Sequence, residues 1–521
     1  MVVIHVRPNE RKVIGYHVRS STSWSGRSHD DMRLIASVIA AEVAASVGLQ
    51  DTVSVSTTSE TVGTIPSVAE LARGYVDGSL DPEEAVGQLF DRIDRVESQL
   101  GAWQDLYRSD AEAAATAAKL AIESGHRIGP FHGIPFALKD IVHLEGRITT
   151  AGCMALRDRV STSTAEIARR LVAAGGIVIG KTKTVEFALG GWGTNEFMGT
   201  PRNPWDPVVA RAPGGSSSGS AVAVATGMAP CAIGTDTGGS VRLPASLCGI
   251  VGLKTTEGLL PTSGIEPLSH TFDTPGPIAR TVEDAALMFD VLTGRGAIDI
   301  DDDWQAGRGL YRGLRRGVRG LRLGALGPSA RSPVEPEVLE AYDRSLDLLA
   351  DRGAEITVFE PPRPFEEMLD ATFVIVTAEA WHHHGSLFAD DDVPLDRHVR
   401  ARGLPGRDLT ASAYIAALET RDRHRIEFLA SLDPLDGLLT PTTPMVAPPV
   451  EGIDEGSTPA HFTRAGNYLG LCGLSVPMPL GSSGLPTGLQ ILARGNAEAL
   501  VLQVGAAFES ARGPLPEPPG A

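Results

Sequence analysis

GGSSSGSAVAVATGMAPCAIGTDTGGSVRLP, residues 214–244, joins two glycine- and serine-rich segments through an apolar run. A flexible linker would be polar throughout, whereas AVAVATGMAP follows the first segment directly and predicts a buried element there. Compact apolar runs bounded by glycine occur in the chain as GIPFALKDIV, GGIVIGKT, AVAVATG and GIVGLKTT. They alternate with helical patterns such as TAEIARRLVAAG and TVEDAALMFDVLTG. This alternation predicts an α/β fold whose sheet is covered by helices.

The first glycine–serine segment matches two common catalytic loops only in part. Residues 215–219 read GxSxG, the nucleophile elbow of α/β-hydrolases, which requires a strand directly before it. The preceding PRNPWDPVVARAPG contains four prolines and leaves no room for a buried strand. A phosphate-binding P-loop would need Gly-Lys-Ser/Thr at its end, and Lys254 in GLKTT lacks the preceding glycine. Both loops are therefore disfavoured, and with them Ser217 as the nucleophile.

The second segment, GTDTGGS, ends in an isolated serine, Ser240. Its glycines allow the backbone to approach a ligand without side-chain hindrance. The N–H groups of Thr237, Gly238, Gly239 and Ser240 can converge on one oxyanion, which is the main electrostatic need of acyl transfer. The segment therefore predicts an oxyanion site next to a serine, and such a serine still needs a base.

Lys139 in FHGIPFALKDIV is the candidate base. It lies in a strongly apolar segment, where desolvation lowers the pKa of an amine and lets its neutral form accept a proton. The alternative is a surface lysine with only its aliphatic stem buried, which is the usual state of lysines. The residues around Lys139 alone leave both readings open.

Four motifs taken together resemble the amidase signature family: GIPFALKD, PGGSSSGSA, GTDTGGSVRLPASLCGIVGLK and DTPGPIARTVEDAA. They occur in the family's order and at its spacing, over about residues 66–512, and the late GLPTGLQ matches as well. The resemblance implies a large mixed twisted β-sheet sandwiched between layers of α-helices. We expect one catalytic domain over 64–521, with a helix-rich insertion at about 364–432. Residues 1–63 form an N-terminal extension, for which a loosely attached segment, an over-long start and a functional arm are left open.

The resemblance also implies a Ser–cisSer–Lys triad. Position by position, Lys139 is the general base, Ser216 is the proton-relay serine after a cis Gly215–Ser216 peptide, and Ser240 is the nucleophile that forms an acyl-enzyme. The amides of residues 237–240 would hold the oxyanion. No metal or organic cofactor is implied, and activity should rise toward alkaline pH because the lysine must be neutral. The sequence departs from the family's usual GGSSGGSA at Ser218, which replaces a glycine outside the triad.

Five further positions are candidate substrate contacts: Gly190, Gly191, Trp192, Gly215 and Asp236. Trp192 lies in GGWGTN, a loop that approaches the substrate in the family, and core packing is its alternative. Asp236 flanks the nucleophile, and its alternative is a buried ion pair with Arg242 or support of the backbone.

The run WHHHG, with His382, His383 and His384, suggests a zinc site. Adjacent histidines on a helix point about 100° apart and cannot all face one ion. A surface or pocket-rim helix is therefore favoured, and no metal site is predicted.

Composition and charge argue against several classes of partner, although they do not exclude a tRNA-linked role in which a partner protein holds the RNA. The formal net charge is −18 and no dense Lys/Arg run occurs, which argues against a nucleic-acid-binding surface. The longest apolar stretch, residues 34–49, is too short to span a bilayer and contains Glu42. The first residues lack the order of a signal peptide, and the four cysteines form no CxxC pair. These features favour a cytoplasmic protein with a small-molecule substrate and no membrane partner; a homodimer is left open.

The favoured activity is hydrolysis of small or aryl carboxylic amides, with esters and carbamates (urethanes) as further substrates. The alternative is the glutaminase subunit of a tRNA-dependent amidotransferase. Such glutaminases carry Gln after the SxR arginine and an SLDQxGP loop, where this chain has Leu243 and HTFDTPGP. A third reading, an inactive family member that acts as a binding module, is disfavoured because all three triad residues are present.

Overall fold

The computed structural model describes residues 2–7, 12–18 and 66–521. The chain separates into two units, Met1–Thr64 and Ile65–Ala521. In the first unit, strands β1 (Val2–Arg7) and β2 (Lys12–Val18) form an antiparallel pair. The apolar stretch over residues 34–49 lies outside the described residues, as does any attachment of the expected extension.

The second unit contains the remaining strands and all of the described helices. The strands are β3 (Trp103–Leu106), β4 (Pro135–Lys139), β5 (Ile177–Thr182), β6 (Cys231–Asp236), β7 (Val251–Lys254), β8 (Thr274–Ala279), β9 (Arg322–Leu326), β10 (Glu355–Phe359), β11 (Gly437–Pro441), β12 (Cys472–Pro477) and β13 (Gly488–Ala493). The α-helices are α1 (Val68–Asp77), α2 (Pro82–Leu100), α3 (Arg108–Glu123), α4 (Glu166–Ala173), α5 (Ser218–Ala225), α6 (Arg242–Cys248), α7 (Val282–Leu292), α8 (Ala297–Ala306), α9 (Gly309–Leu314), α10 (Pro336–Asp351), α11 (Leu369–Ala389), α12 (Arg397–Gly403), α13 (Ala411–Ser431), α14 (Thr463–Tyr468) and α15 (Glu498–Arg512). Short 3-10 helices cover Met154–Leu156, Glu186–Ala188, Pro328–Arg331, Phe365–Met368 and Leu404–Asp408.

Strands β3–β13 form one sheet of 11 strands in the order β10-β9-β11-β13-β12-β7-β8-β6-β4-β5-β3. Parallel pairs lie near both ends, at β10–β9–β11 and at β6–β4–β5. The other pairs are antiparallel, so the sheet is mixed as predicted. Strands β4, β6, β7 and β8 are buried at every residue, which requires cover on both faces of the sheet.

Local sequence signals explain where several helices begin. Asp81 caps α2 by accepting from the Glu84 amide at 2.9 Å, and Pro82 occupies the first turn. Ser67 and Glu70 form a reciprocal capping box at α1. None of the described helices is long and apolar enough to cross a membrane.

The run AVAVATG differs from its expected grouping with the strands. Its first five residues, 221–225, belong to helix α5, in which every residue is buried. A short run that is apolar on all sides has no periodicity to separate helix from strand, so only packing decides its state. No strand lies between β5 and α5 in the described chain, in agreement with the rejection of a nucleophile elbow.

Strand order brings the candidate residues together at the carboxyl ends of β4 and β6. Strands β4 and β6 are parallel neighbours, with Leu138 opposite Ile233, so their carboxyl ends lie on the same side of the sheet. Strand β8 runs antiparallel to β6, with Thr274 opposite Asp236, and the loop before β8 therefore arrives at this side too. Ligands of open α/β sheets characteristically bind at such carboxyl ends.

Candidate active site

Lys139, the last residue of β4, is completely buried. Its Nζ lies 2.8 Å from Ser216 Oγ and 2.8 Å from Thr235 Oγ1. Burial lowers the pKa of Lys139 to about 7, against the opposing attraction of the Asp273 and Asp236 carboxylates. The amine therefore titrates near neutral pH and can accept a proton there. The surface-lysine alternative does not hold.

Ser216 follows a cis Gly215–Ser216 peptide bond. Its side chain contacts Lys139, and its carbonyl accepts from Thr184 Oγ1 at 3.0 Å and from the Val185 amide at 3.2 Å. These bonds hold the backbone of Ser216 on the segment that follows β5. The hydroxyl is thereby fixed against the amine of Lys139.

Ser240 differs from the other serines of residues 214–244 in its exposure. Its backbone carbonyl accepts from the Ser217 amide at 3.3 Å, which ties the two glycine–serine segments together. Ser240 is 7 % exposed, whereas Ser216, Ser217, Ser218 and Ser220 are 0 % exposed. Ser240 is therefore the one serine of this stretch that a substrate can reach.

The backbone amides of the loop from Thr237 to Ser240 do not all have the same surroundings. The amides of Thr237, Gly238 and Ser240 have no acceptor within residues 66–521. The Gly239 N–H instead donates to Asp236 Oδ1 at 2.8 Å. The expectation that all four amides face an oxyanion is therefore wrong for Gly239, because the carboxylate of Asp236 already takes its hydrogen bond.

Asp236 holds this loop through a hydrogen bond to its carboxylate. It forms a completely buried ion pair with Arg242 at 2.8 Å and accepts from Asn467 Nδ2 at 2.9 Å. Burial raises the pKa of Asp236, but the Arg242 guanidinium outweighs this and holds the pKa at about 2. These contacts match the ion-pair alternative for Asp236 and leave its carboxylate no free face toward a substrate.

Two residues that sequence reasoning missed also contact the site. Asp273 accepts from Thr237 Oγ1 and from the Leu268 and Ser269 amides at 2.8 and 2.9 Å. Thr235 contacts Lys139 and lines a cavity of about 80 Å³. The remaining residues that line this cavity are Thr262, Ile265, Pro267, Ser269, His270, Asp273, Thr274 and Pro275. Asp273 stands within the DTPGP motif, so its position was visible in the sequence, but its partner Thr237 was not.

The Gly190–Trp192 loop contacts the serine segment through its backbone. The Gly215 amide donates to the Gly191 carbonyl at 2.8 Å, and the Gly214 amide donates to the Trp192 carbonyl at 3.1 Å. The Trp192 indole is buried and donates to the Ser457 carbonyl at 3.0 Å. These contacts favour the packing alternative for Trp192.

The histidine run on α11 divides into two groups. His384 is buried, its Nε2 contacts the Pro267 carbonyl at 2.8 Å, and its ring stacks on Phe187 at 4.2 Å. His382 and His383 lie instead beside His270, which comes from the loop before β8. Burial and the neighbouring imidazoles lower the pKa of His383 to about 4. The three adjacent histidines do not share one direction, as expected, but His270 was not foreseen as their neighbour.

Known proteins are similar in sequence to this chain over most of the second unit. The family model described as Amidase matches residues 84–502. The chain is 34% identical over 425 residues to the 2-amino-5-chloromuconic acid deaminase of Comamonas testosteroni, covering 80% of this chain and 89% of the relative. It is 33% identical over 489 residues to a glutamyl-tRNA(Gln) amidotransferase subunit of Salinispora tropica, covering 87% of this chain and 98% of the relative.

Solved structures show the same likeness. The native peptide amidase from Stenotrophomonas maltophilia superimposes with a TM-score of 0.75 at 30% identity, covering 89% of this chain and 99% of the other. The likeness extends over almost the whole second unit, including the strands that carry the candidate site.

Proposed function

The chain belongs to the amidase signature family, and from that premise we propose that it is a serine amidohydrolase that cleaves C–N bonds of small or aryl carboxylic amides. Enzymes of this family are hydrolases that act on C–N bonds. Esters and carbamates present a carbonyl carbon to the same nucleophile, so we include them as further substrates.

One juxtaposition carries the proposal. A completely buried lysine contacts the hydroxyl of Ser216 at 2.8 Å. Ser240, which is 7 % exposed where the other serines of the stretch are 0 % exposed, is joined to Ser217 through the backbone. A base, a relay and a reachable nucleophile in this order are what acyl transfer through a serine requires.

The first half of the reaction forms the acyl-enzyme. Neutral Lys139 takes the proton of Ser216, Ser216 takes the proton of Ser240, and Ser240 Oγ attacks the carbonyl carbon of the amide. The unpartnered amides of Thr237, Gly238 and Ser240 stabilise the resulting oxyanion. Protonated Lys139 then returns the proton through Ser216 to the amide nitrogen, the C–N bond breaks and the amine leaves.

The second half regenerates the enzyme. Water attacks the acyl carbon and gives its proton through Ser216 to Lys139. This attack forms a second tetrahedral intermediate, whose oxyanion the same backbone amides stabilise. The bond to Ser240 Oγ then breaks, the oxygen regains a proton through the relay, and the carboxylic acid leaves.

The second candidate is the glutaminase component of a tRNA-dependent amidotransferase. It is favoured by the 33% identity to such a protein over 98% of that relative. Against it, Leu243 occupies the position where the resemblance implies glutamine, and its side chain is buried. We therefore retain the independent amidase as the first choice.

Hydrolysis of a substrate panel tests the proposal. The panel contains acetanilides, aliphatic amides, peptide amides, aryl carbamates, p-nitrophenyl esters and glutamine. We expect wild type to hydrolyse an amide without a partner, Ser240→Ala to lose at least about 10³-fold in kcat, and a serine-directed fluorophosphonate to label wild type only.

Ser217→Ala is the matched control, because Ser217 is the central serine of GxSxG and is completely buried. We expect it to stay within about tenfold of wild type, since it leaves Lys139, Ser216 and Ser240 in place. Full activity of Ser240→Ala would overturn the site. Turnover of glutamine alone, and only with added partner proteins, would favour the second candidate.

A further inference from the structure

We propose that His270, His382 and His383 form a binding site for one divalent transition-metal ion such as Zn²⁺, at the border between the insertion and the cavity lined by Thr235 and Asp273. One ring nitrogen from each residue lies within 4.8 Å of the corresponding atoms of the other two. The ring centroids are 4.4 Å apart for His270 and His383, 4.9 Å for His382 and His383, and 6.1 Å for His270 and His382. This proposal is independent of the proposed hydrolysis.

The donor set selects the class of ion. Imidazole nitrogen suits Zn²⁺, Cu²⁺, Co²⁺ and Ni²⁺, whereas Mg²⁺ and Ca²⁺ require oxygen ligands. Zinc binds imidazole nitrogen at about 2.0–2.1 Å, so the nitrogens of a tetrahedral site lie about 3.3 Å apart. His270 and His382 are exposed, and rotation of these two side chains can close the remaining distance. Three protein ligands leave a fourth position for water or another small ligand.

His383 supplies an independent sign of a missing partner. Its Nε2 is buried and has no hydrogen-bond partner in the described part of the chain. A buried polar atom without a partner costs about 1–3 kcal/mol. His384, the next residue, has both a hydrogen-bond partner and a stacking partner. Coordination of an ion would give His383 the partner that it lacks.

The backbone that carries His270 is held against α11. Ser269 Oγ and Thr271 Oγ1, on either side of His270, both donate to the carboxylate of Glu379. Glu379 lies one turn before His382 and His383 on α11 and also accepts from Tyr414 OH at 2.7 Å. The loop and the helix are therefore fixed relative to each other before any ion binds, which lowers the entropic cost of assembling the ligands.

The position of the site links two parts of the molecule. His270 lines the same cavity as Thr235 and Asp273, and His382 and His383 belong to the insertion. An ion bound to all three would cross-link the insertion to the loop that carries Asp273. We therefore expect metal to stabilise the folded protein, because an ion that binds the folded state more tightly than the unfolded state raises its unfolding temperature.

Metal titration of the untagged full-length chain tests this site. The chain has 13 histidines, so the decisive quantity is the difference between wild type and variants. After removal of metal, calorimetry with ZnCl₂ should show one tighter-binding ion per chain in wild type. Co²⁺ in its place should produce the intense visible absorption of a tetrahedral site.

His382→Asn, at an exposed position, and His383→Asn should each weaken this binding by more than the about 10–100-fold that loss of an outer partner costs. They should also lose the Co²⁺ band and the rise in unfolding temperature. His126→Asn, an exposed histidine elsewhere, should bind like wild type, and Mg²⁺ should not compete. Identical Zn²⁺ binding by wild type and His382→Asn would overturn the proposal, as would the absence of the Co²⁺ band in wild type.

Discussion

At the scale of single residues, Lys139 stands out because it places an amine in a completely buried position. No carboxylate lies within ion-pair distance of its Nζ in residues 66–521. Its amine makes two hydrogen bonds, to the neutral hydroxyls of Ser216 and Thr235, and neither hydroxyl compensates a positive charge on the amine. Burial therefore shifts the amine toward its neutral form, which is the form a base needs.

The pH dependence of kcat/KM should follow Lys139. Its pKa of about 7 in the folded protein lies below the ordinary value of 10.5, so the neutral fraction grows as the pH rises through about 7. We expect kcat/KM to rise about tenfold per pH unit below this value and to level off above about pH 8. A flat profile from about pH 5 to 9, under conditions where chemistry limits the rate, would contradict the role of Lys139.

Asp273→Asn provides a directional control for that profile. The carboxylate of Asp273 raises the pKa of Lys139 by Coulomb attraction. Its removal should therefore move the rise in kcat/KM to lower pH, whatever it does to the plateau. A shift to higher pH would show that another group controls the profile.

Alanine should affect different properties at Gly239 and at Gly238: the stability of the protein at Gly239 and the activity at Gly238. Gly239 has φ +131°, and a Cβ there would overlap Thr463 Oγ1, whereas a Cβ at Gly238 would have no atom within 4 Å. We expect Gly239→Ala to destabilise the protein by about 1–3 kcal/mol in denaturant unfolding.

Gly238→Ala should change stability by less than about 0.5 kcal/mol. Its kcat/KM should fall about tenfold or more, because the new methyl would extend from the loop that leads to Ser240 into open space and displace the substrate there. Equal unfolding midpoints for the two variants would contradict this account of the loop.

At the scale of elements, helix α5 holds the two glycine–serine segments together. It begins at Ser218, two residues after Ser216, is buried along its whole length and packs on β4, β5 and β6. Ser220 Oγ contacts Thr182 Oγ1 at 2.7 Å, whereas Ser218 Oγ is buried and has no hydrogen-bond partner among the described residues. Two serines within one turn thus differ in whether their hydroxyl is satisfied.

This difference predicts opposite effects of alanine in α5. Ser218→Ala should stabilise the protein by about 1 kcal/mol, because it removes an unpaired buried hydroxyl. Ser220→Ala should destabilise it by about 1 kcal/mol, because Thr182 Oγ1 loses a partner. Thermal or urea unfolding measures both, and destabilisation by Ser218→Ala would show that its hydroxyl has a partner after all.

At the scale of the whole molecule, side chains of the insertion contact loops of the candidate site. Glu379 of α11 receives hydrogen bonds from Ser269 and Thr271, and Asp273 of the same loop contacts Thr237. Arg402 of α12 donates to the Leu189 carbonyl at 2.9 Å, next to the Gly190–Trp192 loop. The helices between residues 364 and 432 therefore support two loops of the candidate site.

Glu379→Ala should accordingly impair catalysis from a distance. We expect kcat/KM to fall about tenfold through misplacement of the loop that carries Asp273, with recovery in Glu379→Gln, whose amide oxygen still accepts hydrogen bonds. Asp370→Ala, at an exposed position on the same helix, is the control and should match wild type. Wild-type kinetics for Glu379→Ala would show that the insertion does not position this loop.

The sequence by itself determined the family, the mixed α/β architecture and the identity of the candidate triad. It could do so because Lys139, Ser216 and Ser240 lie in contiguous motifs whose backbone requirements are local: an apolar strand end, a glycine–serine segment and a glycine turn. The caps of α1 and α2 were equally local, since Ser67 and Asp81 act within one turn of their helices.

Tertiary structure alone decided the features that join distant residues. The helical state of AVAVATG, the capture of the Gly239 amide by Asp236 and the contact of Asp273 with Thr237 all depend on neighbours in space. His270 lies more than one hundred residues before His382 in the chain, and only the antiparallel entry of β8 and the folded insertion bring the two together. The physical reason is that burial and hydrogen-bond partners belong to the packed molecule, whereas propensity and motif spacing belong to the chain.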